Sequence, residues 1–364
     1  MTQAAFADLE IHIFPRQEED YPVEIRLDGQ QEFPRGYLHA DILSWIPSGD
    51  SLTDGQNLFN FLFDDRSLYR AWHHAVGQFP RRRIRLWIDA DAPELHTVPW
   101  ELFHTGETFL AADAATPLSR YLPGVAAWGR AVLQGPLRIL AAVANPTDLA
   151  DYGLVSLDVE QERSVLDAAF AALPPNRRHL DFLDAPVTLA RLEDRLRAGY
   201  HMLHFVGHGA FNQRQKQASL YLQDAHGNTE IVTADAFAAM LKRLDQRPHL
   251  VFLAACQTAK RDTTDAFVGF GPELVRADIP SVVAMQGDIA IPTAQTLSHT
   301  FYQHLVRHGS ADLAFNEARS TLLTTQRSDA AIPVLFLRLK DGQLWVPPER
   351  HDFYQHIPLP LHYI

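Results

Sequence analysis

The chain has 364 residues, 46% of them hydrophobic, which is ample for a packed core and for more than one folding unit. Asp and Glu number 44 against 32 Lys and Arg, and the resulting formal charge of −12 opposes nonspecific attraction to nucleic acid or to an anionic membrane. No apolar run of about 18 residues occurs, the start MTQAAFADLE lacks the features of a signal peptide, and the single cysteine, Cys256, excludes an intrachain disulfide framework.

A cytoplasmic, reducing location is therefore expected. No internal repeat of 20 to 50 residues occurs, which excludes a solenoid within this chain.

Residues 1–130 are predicted to form a smaller α+β amino-terminal region. IHIF (11–14) and VEIRL (23–27) alternate apolar and polar residues as half-buried strands do, with Glu18, Glu19 and Asp20 as turn residues between them. GYLHADILSW (36–45) continues the sheet. Residues 56–76 place Leu58, Phe61, Leu62, Leu68 and Trp72 at helical spacing, and Gly77 and Pro80 end the pattern. His73 and His74 are adjacent, point in different directions on a helix, and do not make a metal pair. Arg81, Arg82, Arg83 and Arg85 read as a solvated entry to the strand at 84–90, since no glycine-rich or aromatic interleaving accompanies them. In PELHTVPWELF, Pro93 and Pro99 bracket a turn, and Trp100 and Leu102 offer apolar surface. Residues 111–135, rich in Ala, Gly and Pro, read as a connector.

From Pro136 the pattern becomes an alternation of apolar strands and amphipathic helices. LRILAAVAN, HLDFLD, HMLHFVG, HLVFLAAC, SVVAMQG and IPVLFLRL are continuous apolar runs of the kind that suits strands buried on both faces. Helices are predicted at 158–172, with Val159, Leu166 and Phe170 on one side and charges opposite. Further helices are predicted at 188–198 after Thr188, at 234–244 after Thr233, and at 311–323 after Ser310. Residues 131–345 are thus expected to form a mainly parallel six-stranded sheet with helices on both faces. A Pro- and aromatic-rich tail, 346–364, either packs on the body or covers a groove.

Ligand chemistry in such sheets gathers at the carboxyl ends of strands, and His208 and Cys256 stand at two of these ends. His201, His204 and His208 would share a helical face and suit a metal, but Gly207 and Gly209 and the surrounding strand formers make the segment a strand, on which His201 and His204 point to opposite faces. No metal is assigned. Gly209 would let the backbone turn sharply and offer its N–H to a substrate carbonyl, with the N–H of Cys256 as a second donor. A thiol beside an imidazole ionises near neutral pH and becomes a nucleophile. The competing reading is a buried cysteine acting as a small hydrophobe.

HFVGHGAF and FLAACQTA resemble the histidine and cysteine motifs of the CHAT domain family, a caspase-like family related to peptidases. In caspases the histidine precedes the nucleophile by about 50 residues, and His208 stands in a comparable relation to Cys256. PELHTVPWELF, ILAAVANP, TADAFAAML, LVRADIPSVVAMQGDI, AQTLSHTFYQHLVRHGSADLAFNEAR and LFLR also fit in order, so the resemblance covers residues 84–340. It implies a caspase-like fold in which His208 is general base and acid, Cys256 the nucleophile, and Gly209 and Cys256 the backbone oxyanion donors, with no cofactor. It also makes Asp288, in GDIAI, a candidate to receive a basic residue before the scissile bond. Gly287 stands where family members often carry tryptophan, and Asp288 reads equally as a loop cap.

The function so implied is a cysteine endopeptidase that cleaves a protein partner, in bacterial defence or regulated cell death. Its sensor or activator would be a separate protein or the amino-terminal region. The alternative is a catalytically silent scaffold or protein-binding module of the same fold. A metal-dependent hydrolase is a third class.

Overall fold

Strands β1 (Ala7–Ile13) and β2 (Asp20–Leu27) form the expected hairpin, with Leu9 opposite Leu27 and Ile13 opposite Val23. Period-two alternation buries Leu9, Ile11, Ile13, Val23, Ile25 and Leu27. The computed structural model describes residues 6–29, 31–122, 135–212, 217–256, 270–339 and 341–347. Short strands β3 (Gln31–Glu32) and β4 (Gly36–His39) pair with β2, and the sheet stops at His39 because residues 40–44 coil into a 3-10 turn.

The single helical pattern expected at 56–76 is two helices, α1 (Ser51–Phe63) and α2 (Arg66–Gln78). Asp65 divides them: its backbone is extended, and its carboxylate accepts the N–H groups of Ser67 at 2.7 Å and Leu68 at 3.2 Å, which starts a new helix. Strand β5 (Arg82–Ile88) lies parallel to β1, and β6 (Leu118–Tyr121) parallel to β5. The arginines before and within β5 are not a solvated entry. Arg82, Arg83 and Arg85 are buried; Arg83 pairs with Asp312, Arg85 lies 3.2 Å from Asp8, and Arg82 donates to the carbonyl of Phe79. Arg83 and Arg85 meet acids distant in sequence, which no local pattern reveals, whereas Arg82 turns back on a carbonyl three residues before it.

The remainder runs β7 (Leu137–Val143), α3 (Val159–Phe170), β8 (Arg178–Leu183), α4 (Leu189–Leu196), β9 (Met202–Asn212), β10 (Gln217–Gln223), β11 (Thr229–Thr233), α5 (Ala234–Lys242), β12 (Leu250–Cys256), α6 (Phe270–Arg276), β13 (Ser281–Met285), α7 (Ile291–His308), α8 (Ala311–Thr324) and β14 (Pro333–Leu337). The six apolar runs become β8-β7-β9-β12-β13-β14 in spatial order, parallel except for β14 against β13. The mainly parallel sheet flanked by helices is therefore as expected. One face is covered by α3, α7 and α8, the other by α4, α5 and α6. Thr188 and Thr233 cap α4 and α5 through their hydroxyls. Ser310 occupies the N-cap of α8 but donates its hydroxyl to Asp312 Oδ1 at 2.8 Å, so it makes no cap bond.

Strands β10 and β11 were not anticipated, nor were the short β3 and β6; β6 falls within 111–135, the stretch expected to be a connector, and pairs with β5 instead. β9 continues past its last contact with β12 to Asn212 and takes up β10 and β11 as an antiparallel extension.

Strands β14 and β6 meet at Phe336 and Arg120, so the amino-terminal strands and the six-stranded set belong to one sheet. Helix α8 reinforces that junction. Asn316 accepts the N–H of Leu118 and donates to the carbonyls of Leu110, Asp113 and Thr116, while Arg319 donates to the carbonyls of Ala111, Ala330 and Pro333. Each is a buried polar group whose hydrogen bonds are made mostly with backbone groups of the segments around β6 and β14. Among the described residues, no helix is long and apolar enough to cross a membrane. Residues 123–134 of the expected connector, the end of the cysteine motif after Cys256, and the tail from residue 348 lie outside the described residues.

Candidate active site

The ladder between β9 and β12 begins at Met202 opposite Leu250 and ends at His208 opposite Cys256. Positions 208 and 256 are therefore neighbours on the last rung of a parallel pair, and residues opposite one another in a ladder share a face. That face carries Met202, Val206, Leu250, Phe252 and Ala254, all packed beneath α3 and α7.

The His208 ring is fully buried, and its Nε2 lies 2.7 Å from the carbonyl oxygen of Val155. A carbonyl only accepts, so Nε2 carries the proton, and Nδ1 is the basic nitrogen of the neutral ring. The chain around Val155 is anchored from two sides. Asn145, just past β7, donates to the carbonyl of Leu157 at 3.2 Å and accepts its N–H at 3.0 Å. Asp148 accepts both the N–H and the hydroxyl of Thr229 on β11, at 2.8 Å and 2.7 Å. The unanticipated β10–β11 hairpin thus braces the loop that orients the histidine.

Beside this rung lies a small cavity between α3 and α7, floored by Val206, Gly207 and Ala254 and walled by Leu157, Ala294 and Ser298. Glu162 of α3 also lines it. The sequence reading placed the α3 charges opposite the apolar side, but Glu162 is only 5% exposed. Its spacing of four from Leu166 puts it on the buried stripe, and that offset was the available signal. Gln295 donates to Glu162 Oε1 at 2.8 Å, and burial raises the carboxyl above its ordinary range, with Asp158 adding to the effect.

The other two histidines of HMLHFVGHG, one just before β9 and one within it, are engaged elsewhere. His201 Nδ1 accepts the backbone N–H of Arg138 at 3.1 Å, and burial holds its pKa down at about 4. His204 Nδ1 lies 2.9 Å from the Tyr302 hydroxyl, its ring packs on Phe252, and complete burial depresses it to about 3. Gly209 is not a sharp turn. It lies in extended β9, opposite Leu220 of β10, because the hairpin prolongs the strand. At Gly207 a Cβ would come within 2.8 Å of the Phe205 ring. Asp288 is exposed, three residues beyond β13, and burial of part of its carboxyl raises its pKa. It caps no helix: at the start of α7 that role falls to Asp329, which accepts the N–H of Ala290 and the hydroxyl of Thr293.

The family model described as CHAT domain matches residues 53–356. The chain belongs to the CHAT domain family. No curated protein matches it. Among solved structures, this CHAT domain is similar to the separase of the Saccharomyces cerevisiae separase–securin complex, with 13% identity over 77% of this chain and a TM-score of 0.42. It is also similar to the Arg-specific cysteine proteinase gingipain R (RgpB), with 12% identity over 72% of this chain and a TM-score of 0.45. A complex of Porphyromonas gingivalis RgpB pro- and mature domains gives 11% identity over 84% and a TM-score of 0.43. The CHAT chain spans 17% of the separase chain and 63% of the gingipain R chain.

Proposed function

We propose that this CHAT domain is a cysteine endopeptidase of caspase-like type that acts on a polypeptide substrate. The observation that carries the reading is the last rung of the β9–β12 ladder, His208 opposite Cys256, with His208 Nε2–H committed to the Val155 carbonyl.

In this mechanism Nδ1 of His208 takes the thiol proton of Cys256, and the thiolate attacks the scissile carbonyl carbon. The carbonyl oxygen gains the negative charge and is held by the backbone N–H groups of Gly209 and Cys256, each such donor typically supplying about 3 kcal/mol in the transition state. As the intermediate collapses, the imidazolium protonates the leaving amine, the C–N bond breaks, and a thioester remains. Water then attacks the thioester with its proton passing to His208. The thiolate leaves, recovers that proton, and a carboxylic acid product departs. The Val155 carbonyl keeps the ring in the one tautomer this sequence uses and stabilises the imidazolium between the two proton transfers.

Alkylation by an iodoacetamide-type probe tests the dyad. Rapid labelling of Cys256 in the wild type and slow labelling in His208→Ala is the expected result; equal, slow labelling in both leaves the thiol unactivated and overturns the reading.

A further inference from the structure

We infer that His304, His308 and Glu317 form a binding site for a divalent transition metal of the zinc class at the seam of α7 and α8, separate from the Cys256–His208 centre. His304 and His308 are one turn apart on α7 and project from the same face. Glu317 stands opposite them on α8. Its Oε2 lies 2.8 Å from His308 Nε2 and 3.1 Å from His304 Nδ1, and the three candidate ligand atoms all lie within 4.8 Å of one another. No other group of three such side chains occurs among the described residues.

Several features fit a cation better than a hydrogen-bonded clamp. One carboxylate oxygen faces both rings, yet His304 Nδ1 is buried and makes no properly angled hydrogen bond to it. The site also sits at the carboxyl end of α7, where the helix dipole favours positive charge. Two imidazoles and one carboxylate are a recurrent three-ligand zinc set that leaves a coordination position for water. The side chains are 17–26% exposed, so the rim of the seam meets solvent although His304 Nδ1 itself is covered.

One contact sets the strength. The N–H of Ser310 donates to His308 Nδ1 at 3.1 Å, so in the metal-free protein the ring proton is on Nε2. Metal binding at Nε2 moves that proton to Nδ1 and gives up the Ser310 bond. The site is accordingly an exchangeable one, weaker than a closed four-ligand structural zinc site. A bound ion would fix the two helices against each other at the opposite end of α7 from Ala294 and Ser298, which wall the cavity beside the His208 rung.

The experiment uses the full chain carrying Cys256→Ala, so that the thiol contributes no ligand, stripped with chelator and titrated with zinc against a chromophoric chelator. One zinc per chain is expected. His304→Gln, His308→Gln and Glu317→Gln, each verified as folded by circular dichroism, should each weaken binding by more than the roughly 100-fold that loss of a mere supporting group can cost. Cobalt titration of the unsubstituted site needs no variant, and intense visible bands of a low-coordinate nitrogen and oxygen site are expected. Absence of stoichiometric zinc, affinity unchanged by the three substitutions, or a cobalt spectrum like that of the hydrated ion would each overturn the inference.

Discussion

The carbonyl of Val155 accepts a 2.7 Å hydrogen bond from Nε2 of His208, and the loop that presents this carbonyl is pinned two residues later by the Asn145 side chain. Asn145→Ala removes two hydrogen bonds and should cost about 1–2 kcal/mol in denaturant unfolding. Misplacing the carbonyl should also slow alkylation of Cys256 by roughly 10- to 100-fold. Parallel unfolding and labelling measurements separate the two effects, and unchanged labelling would uncouple the loop from the ring.

Acid should weaken the fold between about pH 6.5 and pH 3 through His204. Burial depresses this histidine to about 3 in the folded state, so below 6.5 the unfolded chain takes up a proton that the folded chain refuses. Stability is retained above 6.5 and lost as pH falls, with a contribution approaching about 1.4 kcal/mol per pH unit. His204→Gln, which can still bond the Tyr302 hydroxyl, should flatten this part of a stability–pH profile.

Glu162 titrates in the opposite sense. Its raised carboxyl favours the protonated form in the folded state, a contribution present at low pH and lost as pH rises through the folded value. Glu162→Gln should melt at a higher temperature than wild type at pH 7, and the gain should vanish toward pH 4. A constant difference across that range would assign the effect to packing.

Arg120 donates to Glu101 at 2.9 Å and 2.7 Å and to Gln286 at 3.0 Å, and both charged partners are almost fully buried. Arg120→Leu alone leaves a carboxylate without its partner and should cost about 3–5 kcal/mol, whereas Arg120→Leu with Glu101→Leu should recover part of that loss. A double-mutant cycle in urea measures the difference.

If Asp288 receives a basic residue before the scissile bond, Asp288→Asn should lower kcat/KM for such a substrate by roughly 10-fold or more and leave a neutral counterpart unaffected. Equal kcat/KM values for both would assign Asp288 no part in selection.

Five strands of the main sheet were legible because each is a largely apolar run, whereas the edge strand β8, with Arg178, His179 and Asp181, buries only Leu183 and is not the doubly buried strand expected; the helix starts at Thr188 and Thr233 were legible because a cap is a local chemical event. The pairing of position 208 with position 256 followed from two motifs at strand ends. What escaped was set by partners remote in sequence. Arg83 needs Asp312, and Arg120 needs both Glu101 and Gln286. The β10–β11 hairpin was missed for a different reason. SLYLQ and EIVT flank HGN, the pattern of a half-exposed antiparallel pair and not of a buried parallel strand. Glu162 was misplaced by treating charge as evidence of exposure.

The junction between β6 and β14 also bears on how the chain can be divided. A fragment beginning near Pro136 would retain every strand of the six-stranded set, yet it would uncover one long edge of β14 and strip Asp312, Asn316 and Arg319 of counterparts on the removed side. Exposed strand edges recruit other strands, and buried polar groups without partners destabilise what remains. The smallest unit that behaves well in isolation is therefore larger than the one that carries His208 and Cys256.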